Sequence, residues 1–318
     1  MSGYWLGRLA QSGPLLVLVS VVVFAVLHFA PGDPATLLAD PAYLTEQQRI
    51  ELRASLGLDE PLPVQYVKTI GGLVTGELRS FRSKEPTIDM LANALPTTAV
   101  VALLGMALAT VMGVAAGARA AQRPGGPLDR ALSFAVVSAI SFPAFVLALF
   151  LIRIFAEGLR LFPASGIRPV GASGVDPVAS LPHLVLPVIV TAFPIAAILA
   201  RYARDAVREA LAEEYVRTAR SKGLAEPTVL RRHVMRNALV AIISVVGTIT
   251  PLLLGGSVIV ESLFGLPGVG RITVAAALQR DYPVVMTTVL FSAVVVIVAN
   301  LLTDVAYGAV DPRIRLAQ

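Results

Sequence analysis

The sequence predicts an all-α polytopic membrane protein with six transmembrane helices, and three observations lead to this prediction. Six windows of 22 to 29 residues contain no Asp, Glu, Lys or Arg, and there is no seventh. A helix needs about 20 apolar residues to span the hydrocarbon core of a bilayer. Hydrophobic residues make up 56% of the chain and the mean hydropathy is +0.75, which excludes a water-soluble globular domain. The unbroken runs also exclude a β-barrel, whose strands alternate in polarity over about 10 residues.

The charge-free windows define the predicted spans and, between them, the predicted regions of the chain. In order, the spans are residues 9–32, 90–118, 131–152, 177–200, 237–260 and 282–303. The predicted regions are an N-terminus with the first span (1–32), an outer loop domain (33–89), a transmembrane core (90–310) with a long inner loop (205–236), and a tail (311–318).

Positive charges next to the spans predict the orientation of the chain. With a cytoplasmic N-terminus, the inside segments carry 15 Lys and Arg residues, and the outside segments other than the long loop 33–89 carry five. Because cytoplasmic loops carry the excess of Lys and Arg, both termini are predicted to be cytoplasmic. The competing hypothesis of a cleaved signal peptide fits poorly, since the first apolar run is too long and Pro31 follows it.

The composition of the chain and of its spans excludes several classes of function. The chain has no cysteine and three widely separated histidines, so no metal site and no cysteine nucleophile are predicted. The windows contain no Asp or Glu, which argues against a proton-coupled carrier. Proline and glycine interrupt the fourth and fifth windows, either for helix packing or because these spans line a pathway. Candidate pathway residues are Thr248, Thr250 and Ser257, although hydrogen bonding between helices explains them equally well.

The outer loop is predicted to be folded. Thr45 and Gln48 fit a capping box at the start of a short helix that stops at Gly57. A second short helix is predicted from 63 to about 74, ended by Gly76. Two interpretations stay open, a lid packed on the outer ends of the spans and a docking surface for an external partner.

The long inner loop carries the densest cluster of positive charge. Residues 205–222 are predicted to form one helix that ends at Gly223. Pro227 then suits the first turn of a further helix, predicted over 228–238, which leads into the fifth span. An exposed basic helix pair fits either an anionic lipid surface or a cleft on a soluble partner.

Motifs in this loop and along the chain resemble those of one family. Residues 214–224 (EYVRTARSKGL), with Arg232-His233 and 236–239 (RNAL), resemble the coupling-loop motif of ABC-importer permeases, specifically the B-type subunit of the peptide and nickel family. Further similar motifs lie in the expected order between about residues 8 and 315: APGDP (30–34), LGLD (56–59), LFPASG (161–166), LPGVGR (266–271), RDYPVV (280–285) and DPR (311–313).

The resemblance implies a type I ABC-importer permease fold in the bacterial inner membrane. It implies half of a translocation pathway for peptides or a related small solute, with 205–236 as the cytoplasmic coupling loop. The implied partners are a second homologous permease in a heterodimer, two ATPase subunits, an extracytoplasmic substrate-binding protein and membrane lipid, without nucleic acid. The implied ATPase-coupling residues are Glu214, Tyr215, Arg217, Thr218, Ala219, Arg220, Lys222 and Gly223.

The chain is expected to contribute no catalysis and to bind no cofactor, with ATP and Mg held by the partner subunits. It has no Gly-Lys pair and therefore no G-x-x-x-x-G-K-[ST] phosphate loop. The sequence departs from the general motif in two ways: Arg217 replaces a glutamate, and Val240 and Ala241 follow Asn-Ala-Leu where a proline is common. The alternative hypotheses are a secondary carrier or channel acting without an ATPase and, more remotely, an intramembrane enzyme.

Overall fold

A computed structural model describes residues 2–35, 45–168 and 177–310; for residues 2–10, 140, 177, 251–257, 304 and 306–310 it describes the backbone alone. The predicted all-α class is confirmed, since the described residues pair as β-structure only in an isolated bridge between Arg79 and Pro86. In chain order the helices are α1 (Ser2–Phe29), α2 (Glu46–Ser55), α3 (Leu62–Thr75), α4 (Thr87–Ala121), α5 (Pro127–Ser141), α6 (Ala144–Leu151, continued by a π-helical stretch Ile152–Gly158), α7 (Pro177–Ala212), α8 (Glu214–Ser221), α9 (Glu226–Thr228, continued by a π-helical stretch Val229–Val234), α10 (Met235–Leu263), α11 (Val269–Leu278) and α12 (Tyr282–Val310).

Five of the six predicted spans correspond to continuous helices, although the first, predicted over 9–32, ends with α1 at Phe29. Within the described residues, α1, α4, α7, α12 and the helical run from α9 into α10 are long and apolar enough to cross a bilayer. Proline does not interrupt them: Pro96 lies inside α4, and Pro182, Pro187 and Pro194 lie inside α7. Each of these four prolines removes one backbone donor, and the helices continue past them.

The third predicted span, over 131–152, is not one helix. The chain leaves the helical conformation at Phe142, whose ψ of 120° is extended, and α6 begins after Pro143 at an angle of 107° to α5. Proline lacks an N–H and disfavours a helical conformation in the residue before it, which accounts for the break. The third predicted span therefore corresponds to a bent pair of helices, α5 and α6, which are long and apolar enough to cross a bilayer only when taken together.

One compact unit combines residues up to Thr98 with Pro267–Ile297. Its core forms where Phe24 of α1 packs with Met286 and Leu290 of α12, and Tyr66 of α3 donates to or accepts from Ser20 at 2.7 Å. The predicted helices of the outer loop are confirmed. Thr45 and Gln48 form the capping box of α2, and Gly76 ends α3 with a φ of +77°.

A second compact unit combines Ala99–Leu266 with the residues from Val298 onward. Its centre is α7, which packs against α4, α5 and α10. Glycines let α4 and α7 approach closely. A Cβ atom built at Gly117 would lie 2.3 Å from the carbonyl oxygen of Ala200, and one at Gly113 would lie 2.7 Å from that of Ala196. This spacing of small residues is typical of tightly packed membrane helices.

Candidate functional site: the inner loop

The predicted single helix over 205–222 is wrong, because the chain breaks at Glu213. Helix α7 ends at Ala212, Glu213 is extended with a ψ of 147°, and α8 begins at Glu214. The residues on both sides of the break are good helix formers, so propensity alone favours continuation. Packing overrides it, because the change of direction lets Val216 and Ala219 reach the core, where they are 0% and 4% exposed.

The end of α8 is confirmed at Gly223. Its φ is +78°, its N–H donates to the carbonyl of Arg220 at 2.9 Å, and the N–H of Leu224 donates to that of Ala219 at 3.4 Å. These two bonds form a Schellman cap, in which glycine takes the left-handed position without steric cost. Pro227 then lies in the first turn of α9, as predicted.

An ion pair closes the turn between α8 and α9. The Nε of Arg220 donates to Oε2 of Glu226 at 3.1 Å, and a second bond joins Nη2 to Oε1. The hydrogen bond to this carboxylate raises the pKa of Arg220 above its ordinary value. Both side chains are largely exposed, so the pair fixes geometry more than it adds stability.

The eight coupling residues implied by the motif divide between two faces of α8 and its cap. Ala219 lies in the core, next to Val216 and to residues of α4, α7 and α10, and Tyr215 is half-buried against the same cluster. The others point outward and are exposed: Glu214, Arg217, Thr218, Arg220, Lys222 and Gly223. Tyr215 and Ala219 therefore hold α8 against the core, and the outward face presents mostly positively charged side chains to a partner.

Acidic residues border this basic surface on one side. Glu209 and Glu213 line a cavity of about 210 Å³ between the end of α7 and the start of α10, together with Tyr215 and Asn237. On the following helical segment Arg231, Arg232 and Arg236 are exposed. The inner loop thus presents separate acidic and basic regions.

The candidate pathway residues lie on α10. Thr248 donates to the carbonyl of Ser244 at 3.1 Å and Thr250 donates to that of Val246 at 2.8 Å, so both hydroxyls bond within their own helix. The side chain of Ser257 lies outside the described residues. Their assignment to a pathway stays a prediction. The described residues place no three His, Asp or Glu side chains together as metal ligands.

Three of the outer motifs meet in space, which the sequence did not reveal. Arg280 has a φ of +55°, unusual for a residue with a side chain, and its guanidinium donates to the carbonyl of Gly32 at 3.1 Å and to that of Pro31. Asp33, from the same APGDP motif, pairs with Arg53, which also donates to Asp59 of the LGLD motif at 3.0 Å. The RDYPVV, APGDP and LGLD motifs are therefore joined by one network of hydrogen bonds and ion pairs.

A second residue of the RDYPVV motif anchors the loop before α4. Asp281 is 4% exposed and accepts hydrogen bonds from Ser80 Oγ and from the N–H of Phe81 at 3.0 Å. The charged residue is buried but well bonded, which is the condition for tolerating it there. Its position directly before the sixth window was the available sequence signal, but its partners lie about 200 residues away.

Comparison with solved structures identifies a similar fold. Over 71% of this chain and 99% of the other, the fold matches a structure described as inward facing conformations of the MetNI methionine ABC transporter, with a TM-score of 0.56 and 18% identity. The fold is therefore that of a type I ABC-importer permease, as the resemblance implied.

Sequence comparison then places the chain within a family. It belongs to the family described as binding-protein-dependent transport system inner membrane component, which matches residues 109–316, and the N-terminal component of the same systems matches residues 1–102. It is 36% identical to the oligopeptide transport system permease protein AppB of Bacillus subtilis (strain 168), over 99% of both chains. It is 38% identical to the glutathione transport system permease protein GsiC of Escherichia coli (strain K12), over 99% of both chains. The chain is thus a multi-pass component of the inner membrane.

Proposed function

We propose that the chain is the permease subunit of an ATP-driven importer for peptides or a related small solute. Relatives that match it from end to end are named for oligopeptide and for glutathione transport, and both solutes are short peptides. The chain would form half of the translocation pathway. A second, homologous permease would supply the other half, and an extracytoplasmic binding protein would deliver the solute.

The observation that carries the coupling role is the construction of α8. It is a short helix whose Val216 and Ala219 are buried in the core. It ends at the cap formed by Gly223, and its outer face is exposed. A helix presented in this way suits insertion into a groove of a partner protein. We infer that the partner is a cytoplasmic ATPase, that Arg217 and Thr218 lie in the contact, and that ATP and Mg are bound by two such subunits.

The orientation follows from this role. The inner loop must face the cytoplasm to reach an ATPase, and the excess of Lys and Arg in the short flanks gives the same direction. Both termini would then be cytoplasmic, and α2 and α3 would lie outside. In this scheme no residue of the chain is catalytic; ATP-driven movement of α8 would switch the pathway between its outward and inward openings.

The proposal is tested by reconstituting the chain with its partner permease, ATPases and binding protein in proteoliposomes. Uptake of labelled glutathione, a labelled dipeptide and a labelled pentapeptide is measured with and without ATP. We expect ATP-dependent uptake of at least one probe by the complex and none by the chain alone. Uptake by the chain alone would support the carrier hypothesis instead.

The coupling role of the outer face of α8 is tested by Arg217→Glu. We expect this reversal to lower the amount of probe taken up per ATP hydrolysed while the level of the complex in the membrane stays unchanged. Arg123→Glu is the matched control, because Arg123 is an exposed arginine in the other inner loop and lies outside α8 and its motif. Equal uptake per ATP in both variants would refute the assignment of Arg217.

A further inference from the structure

An ionic cluster at the inner end of α5 lies outside every motif noted in the sequence. Asp129 accepts a hydrogen bond from the N–H of Gly125 at 2.9 Å. It also accepts one from Nη1 of Arg204 at 3.0 Å and one from Nη2 of Arg208 at 2.7 Å. One carboxylate of α5 thus binds two arginines that stand one turn apart on α7.

The cluster is more enclosed than the other ion pairs of the inner loop. The side chain of Asp129 is 12% exposed, and those of Arg204 and Arg208 are 17% and 33% exposed. The Nε of Arg208 is buried and has no hydrogen-bond partner among the described residues. Removing the carboxylate would take from the partly buried guanidinium of Arg208 its ion-pair partner and would leave Arg204 with Asp205 and the hydroxyl of Ser133. Losing a partly buried pair in this way costs more than losing an exposed one.

The helix that carries the two arginines also supports the coupling helix. Val207 of α7, on the turn that holds Arg204 and Arg208, is 0% exposed and belongs to the core cluster that contains Val216 and Ala219 of α8. No helix end separates these positions from the membrane-spanning part of α7, since α7 is continuous from Pro177 to Ala212. The packing of Val207 with Val216 and Ala219 is therefore a direct contact between α7 and α8.

Apolar contacts between α5 and α7 near this level are small. Leu132 of α5 packs with Ala200 of α7 and Ala120 of α4, and this cluster holds few large side chains. Small contacts of this kind permit sliding, whereas two charge-assisted hydrogen bonds fix both distance and direction. The ionic cluster, together with the hydrogen bond from Nη1 of Arg204 to Oγ of Ser133 at 3.2 Å, is thus a directional polar link between the two helices on the inner side.

We propose that Asp129 is a positioning residue for transport: it makes α5, the first half of the broken span, follow α7 when an ATPase moves α8. The proposal rests on the proposed function. The ionic cluster of Asp129, Arg204 and Arg208 stays intact through the transport cycle, so α5 and α7 move together. Without it, ATP is still hydrolysed and α8 still moves, but α5 lags and the pathway opens inefficiently.

The test compares Asp129→Asn with Asp205→Asn in the reconstituted complex. Asp205 has the same charge and binds Arg204 at 3.1 Å, but it lies on α7 itself and links no second helix. The readout is the amount of the best-transported probe (glutathione, dipeptide or pentapeptide) taken up per ATP hydrolysed. We expect a drop of about fivefold or more for Asp129→Asn and none for Asp205→Asn. Asp129→Glu, which keeps the charge, restores at least part of the ratio.

Two further comparisons keep the test decisive. If Asp129→Asn fails to accumulate in the membrane, Arg208→Gln is used instead. It removes one of the two ion pairs of the ionic cluster and is expected to give an intermediate uptake per ATP hydrolysed. An unchanged ratio in both Asp129→Asn and Arg208→Gln, or an equal drop in Asp205→Asn, overturns the proposal. If the unmutated complex shows no ATP-dependent uptake of any probe, the proposed function itself fails, which is a different result.

Discussion

At the scale of single residues, Gly223 is the position of the inner loop where the backbone conformation most restricts the type of residue. Among residues 201–236 it alone has a positive φ. A Cβ atom built on it meets nothing within 4 Å, so substitution costs backbone strain and no collision. The left-handed conformation costs a non-glycine residue about 1–2 kcal/mol. The strain falls on the cap that ends α8.

We therefore predict that Gly223→Ala weakens coupling without preventing folding. Uptake per ATP should fall while the level of the complex in the membrane changes little. Gly71→Ala is the matched control, since Gly71 lies inside α3, has ordinary helical φ and also has open space around its Cβ. That substitution should be neutral or slightly stabilising. The same uptake per ATP in both alanine variants would show that the cap has no part in coupling.

Local chemistry at single residues was readable from the sequence, whereas partners distant in the chain were not. The capping box at Thr45, the helix stops at Gly76 and Gly223, and Pro227 in a first turn depend on neighbours within four residues. The bonds of Asp129 and Asp281 depend on which helices meet. In the sequence, an aspartate that will be buried cannot be told from an exposed one, because its hydrogen-bond donors come from residues distant in the chain.

At the scale of helices, the close approach of α4 and α7 depends on the glycines of α4. Gly117 faces the carbonyl of Ala200, and the Cβ of Ala203 would be 2.9 Å from a Cβ built at Gly117. In a membrane, helices associate through close packing because lipid is as apolar as their side chains. The space at Gly117 is therefore part of what holds the two helices together.

Gly117→Ala should force α4 and α7 apart or shift one along the other. Overpacking of this kind typically costs about 1–3 kcal/mol. The expected result is a lower midpoint of thermal unfolding in detergent and less of the chain in the membrane. Gly13→Ala, in α1, is the control, because nothing lies within 4 Å of its Cβ. Equal unfolding midpoints for the two variants would contradict a tight contact at Gly117.

Hydrophobic windows located the membrane-spanning helices but not the places where helices change direction. The windows gave the approximate positions of α1, α4, α7, α10 and α12 because span length depends only on the apolar run. The window at 131–152 hid the break at Phe142, although Pro143 was its signal. The break at Glu213 carried no such signal, since the burial of Val216 and Ala219 decides it.

At the scale of the whole molecule, the distribution of charge predicts which loops face which side of the membrane. Positive charge is concentrated in the inner loop around α8, and the short outer segments carry few Lys and Arg residues. The absence of cysteine from the sequence makes this orientation directly measurable. A single cysteine introduced at an exposed site reports its own side of the membrane by reaction with a maleimide that cannot cross the bilayer.

We predict that Ser55→Cys is labelled from outside intact cells and that Ser221→Cys is labelled only after the membrane is opened. The chain is expressed without its ATPase, so that both serines, one in α2 and one at the end of α8, are exposed and a difference in reactivity reports the side of the membrane. Gln122→Cys, exposed at the end of α4, should behave like Ser221→Cys. Labelling of Ser221→Cys from outside would invert the topology and place α8 beyond the reach of a cytoplasmic ATPase. The ATPase contact and the transmission through α7 would then both be refuted, because each requires α8 to lie on the side where ATP is available.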